Sequence, residues 1–193
     1  MRRALLISLR MAVVTIVLTG LIYPLVVWGI GAAIFPKQAA GSLVSDAKGA
    51  VIGSKLIAQD FTADKYFHPR PSAAGSGYDA MASSASNLGP TNRVLISAVE
   101  TRVAEIVRQD GVAKGTIPVD AVTTSGSGLD PDITPDNAYM QVARVAKARG
   151  VSERQVRALV VANTAARQLG FLGEPRVNVL ELNLALDGLK GAQ

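Results

Sequence analysis

The stretch Met11–Phe35, "MAVVTIVLTGLIYPLVVWGIGAAIF", contains no charged side chain. As a helix, about 24 such residues rise roughly 36 Å, enough to cross a bilayer core with some tilt. A buried helix of a water-soluble domain is shorter and carries a polar face. A cleaved leader is the stronger rival, because "KQAAGS", residues 37–42, offers the small residues that cleavage favours. The apolar core of such a leader is about 7–15 residues long, much shorter than this run. The stretch therefore reads as an uncleaved anchor, a transmembrane helix over 11–35.

The flanks set its direction. Arg2, Arg3 and Arg10 precede the run, and the nearest basic residues after it are Lys37 and Lys48. The positive-inside rule places residues 1–10 in the cytoplasm and everything from residue 36 outside. Pro24 removes a helix hydrogen bond in mid-span and is expected to kink it. Gly20, Gly29, Gly31 and Ala33 leave small surfaces, with Gly29 and Ala33 at the spacing that lets two helices approach closely. Gly20, Pro24, Gly29 and Ala33 are therefore candidate contacts to a partner span, besides membrane lipid.

The 193 residues include no cysteine, which excludes disulfides, a thiolate nucleophile and a cysteine zinc site. His68 is the single histidine, so a histidine-rich metal site cannot form within one chain. The net charge of +5 invites a nucleic-acid reading. Setting aside the three arginines before the span leaves 17 basic against 15 acidic residues, or +2. A nearly balanced domain is a poor binder of a phosphate backbone.

Beyond the span, residues 36–50 are rich in Gly, Ala and Ser and read as a linker. One domain over 51–193 follows. Residues 50–61 predict short strands or a hairpin, and 64–92 a long irregular segment of the kind that carries function. Leu95, Val99, Val103 and Ile106 predict a helix over 92–109, capped by Asn92 and ended by Gly111. "TIPVDAVTTS", residues 116–125, reads as a strand. Thr134 and Pro135 start a helix that runs to Arg149 and stops at Gly150. Ser152 with Gln155 opens another, ending near Gly170. Residues 176–189 alternate like a strand, yet Asn178 with Glu181 suggests a capped helix, and length favours the helix. The expected fold class is α+β: one N-terminal transmembrane helix, then a single extracytoplasmic domain with a small sheet and several helices.

"SGSGLDPDITP", Ser125–Pro135, is the most suggestive chemical stretch. Its glycines lack the Lys-Ser/Thr of a phosphate loop and the spacing of a dinucleotide fingerprint. Asp130, Asp132 and Asp136 do not follow the calcium-loop pattern, and Asp136 suits a helix N-terminus. A turn leading into a capped helix is the plain reading, with a partner-contact loop beside it. His68 lies in "YFHPRPS", where Tyr66, Phe67 and Arg70 are of the types that anchor interfaces. An anchored extracytoplasmic hydrolase using His68 with a serine lacks a nucleophile-elbow motif. "VAKARGVSERQVRALVV", residues 145–161, resembles a helix-turn-helix with Arg154 and Arg157 on its second helix. The external placement makes a membrane-anchored DNA-binding protein the weaker reading.

Several segments then resemble one family, the C subunits of the Kdp high-affinity potassium-transporting P-type ATPase. They are "GLIYPL", "GSKLIAQDF", "YFHPRPSA", "SNLGPTN", "VTTSGSGLDPDITPDNAYMQVARVAKARG" and "LGEPRVNVLELNLAL", in the expected order along essentially the whole chain. Ala58, Ser84, Ala85, Asp132 and Asn163 depart from the family's usual pattern. The resemblance implies a bacterial inner-membrane complex with three partners: a channel-like potassium-binding subunit, a P-type ATPase subunit and a small single-span subunit. It implies an accessory role in assembly and activity, with no catalytic site of its own and with ATP and potassium as ligands of the complex. The family has been viewed as a catalytic chaperone that raises ATP affinity, which makes Ser125, Gly126, Ser127 and Gly128 a weak nucleotide candidate. No other cofactor and no metal are expected, and nucleic acid is not a partner. Asn87 and Asn92 in "SNLGPTN", with Asp130, complete the expected partner contacts.

Overall fold

The computed structural model describes residues 1–45 and 48–189 and divides into two compact units, Met1–Ser54 and Lys55–Gln193. Positions 46–47 of the expected linker and 190–193 of the expected domain lie outside the described residues.

The first unit holds the apolar helix. It runs from Arg2 to Ile34 with none of its hydrophobic window buried. It consists of α1 (Arg2–Val17), a widened π turn (Leu18–Ile22) and α2 (Tyr23–Ile34). The wide turn ends at Ile22, two residues before Pro24. A proline has no N–H to donate and crowds the carbonyl four residues back, and a wider turn relieves both problems. Among the described residues this is the one helix long and apolar enough to cross a membrane. A short α3 (Pro36–Ala39) follows. Then β1 (Leu43–Ser45) pairs antiparallel with β2 (Val51–Ser54), Leu43 opposite Ser54. The hairpin expected near 50–61 thus begins earlier, with its first strand in the stretch read as linker. Ser54 Oγ donates to the Gly41 carbonyl at 2.7 Å, which closes its base.

The second unit is built on helices whose ends were chemically marked. The irregular stretch through residue 92 leads to α4 (Arg93–Asp110), where the Asn92 side chain accepts the Val94 N–H and left-handed Gly111 ends the helix. Next, α5 (Val119–Val122) precedes β3 (Asp132–Ile133) and α6 (Pro135–Arg149). Thr134 caps α6 by accepting the Asn137 N–H, and Gly150 closes it at φ 66°. In α7 (Glu153–Ala162) the Ser152–Gln155 capping box is complete. Then come β4 (Thr164–Ala165), β5 (Arg176–Asn178) and α8 (Val179–Asp187). The three strands form one antiparallel sheet in the order β3-β5-β4, with Ile133 and Thr164 both opposite Val177.

Two expectations fail. Residues 116–125 hold the end of a 3-10 turn, Lys114–Thr116, and then α5, not a strand. Pro118 leads into α5 with an extended backbone, and the turn brings Asp120 to the start of α6. There it accepts the Thr134 N–H at 2.8 Å, the Thr134 hydroxyl at 3.0 Å and the Asn137 amide at 3.0 Å. The helix opened by Ser152 stops at Ala162 rather than near Gly170. Thr164 and Ala165 are instead taken by pairing with β5, a tertiary bond that outweighs local helix preference. The ambiguity over 176–189 resolves into both readings, with Asn178 ending the strand and capping α8.

The core gathers Phe67, Ile133, Val142, Val145, Val156, Val160, Val177, Leu182 and Leu186, each at most 2% exposed. Burying each such side chain contributes about 1.5–3 kcal/mol. The facing stripes of α6 and α7 join here, so the segment resembling a helix-turn-helix is a packed helical pair, the plainer of its two readings. Arg157 of that pair lies 3.5 Å from Glu153 and over the Tyr139 ring.

Candidate functional site

The Ser125–Asp132 loop is a junction. The Ser125 hydroxyl accepts the Gly128 N–H at 2.9 Å, and the Ser127 hydroxyl accepts the Leu129 N–H at 3.1 Å. Its carbonyls hold other segments. Ser127 O accepts the Ser84 N–H at 2.9 Å and the Ser83 hydroxyl at 3.0 Å. Gly128 O accepts the Ser72 hydroxyl at 2.6 Å, and Leu129 O accepts the Ala58 N–H at 3.0 Å. Pro131 O takes the Val179 N–H at 3.0 Å. Gly128 sits at φ +68°, and a Cβ there would lie 2.5 Å from Ser84 O and 2.7 Å from Ala74 N. Only glycine fits both the left-handed backbone and the close approach. Gly126 has no such constraint, with nothing within 4 Å of a Cβ.

Arg70 ties the irregular segment to this loop. Its guanidinium donates to Asp130 at 3.0 Å and, more weakly, to the Thr124 carbonyl at 3.4 Å. Its buried Nε has no hydrogen-bond partner among the described residues. Asp130 also accepts the Asp132 N–H at 3.1 Å, the local turn that aspartate favours. An open groove of ≈ 570 Å³ runs along Arg70 and Thr124–Ser127.

A second, buried network holds the start of the same segment. Arg144 and Asp110 form an ion pair at 2.8 Å with each side chain 4% exposed. The same guanidinium donates to the Asp64 and Tyr66 carbonyls at 2.7 and 2.9 Å and to Gln141 Oε1 at 2.7 Å. Asn183 clasps the Phe67 backbone from both sides, at 2.8 and 3.0 Å. The His68 backbone N–H donates to Gln141 Oε1 at 2.7 Å, and the ring Nε2 lies 3.3 Å from the Ala63 carbonyl and 3.4 Å from Arg144 Nη1. Burial, reinforced by the Arg144 charge, pushes the imidazole below its usual pKa. Among the described residues no serine is hydrogen-bonded to His68, so the hydrolase arrangement does not form there.

Burial also pushes the Tyr78 phenol up to about 12, with the Asp60 charge adding to it. The phenol donates to the Arg70 carbonyl at 2.8 Å. Burial raises Asp132, Asp130 and Glu181 add to this, and Arg176 at 3.0 Å opposes it. A cleft of ≈ 370 Å³ between α4 and α6 is lined by Asp60, Phe61, Tyr78, Arg102, Glu105 and Met140 among others. No group of acidic or histidine side chains among the described residues is arranged to hold a metal ion.

The remaining expected contacts fall in several places. Phe67 is wholly buried in the core. Tyr66 packs on Phe61, receives the Lys65 and Arg149 cations over its ring and donates to Asp187 at 3.1 Å. Asn92 is used as a cap, while exposed Asn87 holds a left-handed backbone at φ 51°. In the first unit, Gly29 has nothing within 4 Å of a Cβ, and Pro24 and Ala33 are exposed. Sequence reading missed Asp120, Gln141, Arg144 and Asn183. The signal available for the last three was a polar residue at a helical position spaced with buried apolar ones.

Comparison with known proteins matches residues 5–188 to the family described as "K+-transporting ATPase, c chain". The chain is 57% identical over 190 residues to the potassium-transporting ATPase KdpC subunit of Mycobacterium tuberculosis (strain ATCC 25618 / H37Rv), covering 98% of this chain and all of that one. It is 55% identical over 188 residues to the subunit of the same name from Koribacter versatilis, covering 97% and 96%. The Caulobacter vibrioides subunit (strain NA1000 / CB15N) is 59% identical over 172 residues, covering 89% and 86%.

Proposed function

The chain belongs to the family of the K+-transporting ATPase c chain, and on that premise we propose that it is the accessory subunit of an ATP-driven potassium uptake complex in a bacterial cell membrane. The long apolar helix crosses the membrane with its N-terminus in the cytoplasm. It docks on partner spans through Gly20, Gly29 and Ala33 beside the widened turn at Pro24. The domain stands outside, against the channel-like potassium-binding subunit, and is needed for assembly with that subunit, the P-type ATPase subunit and the small single-span subunit. It carries no catalytic site. ATP and potassium are ligands of its partners, and any gain in ATP affinity reaches the ATPase subunit through subunit contacts.

The observation that carries this indirect mechanism is the internal use of the Ser125–Asp132 loop. A phosphate cradle presents backbone N–H groups outward. Here the Gly128 and Leu129 N–H groups are bonded by the loop's own serines, and the space beside Gly128 is filled by backbone. Removing residues 36–193 from the complex should abolish high-affinity potassium uptake and its coupling to ATP hydrolysis. Full retention of both would defeat the proposal.

One feature favours direct nucleotide contact as a second reading: Arg70, whose buried Nε is unpaired among the described residues, lines the open groove. A photoreactive ATP analogue offered to sealed vesicles of both orientations separates the two. The indirect reading predicts no specific labelling of residues 125–130. Labelling from the cytoplasmic face alone would overturn both it and the topology.

A further inference from the structure

Leu169, Phe171 and Leu172 are 83%, 69% and 48% exposed, three large apolar side chains within four residues. They sit on a tight turn between β4 and β5, closed by two reciprocal 2.9 Å bonds between Gln168 and Leu172. Its central residues, Leu169 and Gly170, both have positive φ, +53° and +82°. Such turns ordinarily place Asn, Asp or Gly at the first of these positions. A leucine there strains the backbone and projects an apolar group into water.

The surroundings narrow the occupant. Arg167 pairs with Glu174, and Arg176 with Asp132, so the base of the turn is neutralised and selects no charged surface. The three side chains expose on the order of 400 Å², about half of the roughly 800 Å² each partner contributes to a stable dimer. Too small an area for free association is sufficient when the element is tethered. The tether is short. Within the first unit, Ser54 is bonded to Gly41, only six residues after Phe35. Within the second, Lys55 O accepts the Asn178 side chain at 2.9 Å. From Asn178 the strand leads to Phe171 in seven residues, roughly 23 Å at most. A span held in a bilayer thus tethers the tip covalently to that same membrane.

We propose that the Leu169–Leu172 tip is a membrane-docking element that inserts Leu169 and Phe171 into the lipid interface of the leaflet on the domain's side. The inference rests on the membrane-anchored reading. The ligand is lipid of either charge class, because no unpaired basic group at the tip selects anionic headgroups.

Since the native chain has no cysteine, a nitroxide can be attached at one position of the full chain in phosphatidylcholine vesicles. Phe171→Cys should report several-fold more collision with lipid-soluble oxygen than with an aqueous nickel chelate. Leu172→Cys, which leaves Leu169 and Phe171 intact, should agree. Met81→Cys, at a residue 97% exposed, should favour nickel. Trp28→Cys tests the anchor separately. If it reports water, the anchored reading fails and the inference with it. If Trp28→Cys reports lipid while both tip labels report water, only the tip proposal falls. Adding the partner subunits should leave the tip accessible to oxygen. Loss of access to both reagents on assembly would make a protein pocket the occupant and overturn the proposal.

Discussion

Replacing Gly128 by alanine should be among the most damaging single changes in the domain, and replacing Gly126, two residues away, among the mildest. The Gly128 backbone lies at φ +68°, where an L side chain costs about 1–2 kcal/mol. The new Cβ would meet Ser84 O at 2.5 Å and Ala74 N at 2.7 Å. Both are backbone atoms that move only with their segments, and such overpacking costs about 1–3 kcal/mol. Separating the segments also weakens the Ser84–Ser127 and Ser72–Gly128 hydrogen bonds, worth about 0.5–1.5 kcal/mol each. Allowing for partial relaxation, the sum is about 3–5 kcal/mol. At Gly126 neither term exists, so alanine should stay within about 0.5 kcal/mol of the native chain. Urea unfolding of the full chain in mild detergent, followed by circular dichroism, reads both. Equal losses at the two glycines, or a Gly128→Ala loss below about 1 kcal/mol, would refute the view of this loop as a packed junction.

Arg144→Met strands the buried Asp110 carboxylate and should cost about 3–5 kcal/mol. The double change with Asp110→Leu should recover much of that, and a single-mutant loss below about 1 kcal/mol would contradict the network. His68, the one histidine, should titrate below 6.5 in an NMR pH series. Its folded pKa is depressed, so the unfolded chain binds the proton more readily. Its contribution is therefore full above pH 6.5 and declines as the pH falls through the folded value. His68→Asn should flatten that part of the stability profile, and a midpoint at or above 6.5 would refute the burial argument. Asp132, raised by burial, acts with the opposite sign, so its protonation on acidification favours the fold. Gly29→Leu or Ala33→Leu should leave membrane insertion intact, because nothing crowds a Cβ at Gly29, but should reduce recovery of the assembled complex several-fold. Unchanged recovery with both would remove this face from the partner contacts.

What could be read in the sequence were features whose physics is local. Asn92, Thr134 with Pro135, and Ser152 with Gln155 mark helix starts because a side chain satisfies N–H groups within three residues of itself. The apolar span is legible for the same reason, as is the role of Ser125–Pro135 as a turn leading into a cap. Residues decided by distant partners were not legible. The stretch around Pro118 looks like a strand until Asp120 is seen reaching Thr134 and Asn137. Thr164 leaves the helical pattern because Val177 is there to pair with it. At the site, Arg70 was identified by residue type, but its partner Asp130 lies 60 positions away. Arg144 and Asn183 share a helical spacing with buried apolar residues, which hints at burial, but their partners Asp110 and the Phe67 backbone lie 34 and 116 positions away and are not marked locally.

On the proposed function, this chain works only as part of a potassium-transporting assembly. The most direct test is co-purification from gently solubilised membranes through an affinity tag on this chain. The channel-like and ATPase subunits should come with it, and the eluate should hydrolyse ATP in response to potassium. Recovery of this chain without them, while they assemble and transport normally in its absence, would contradict that function.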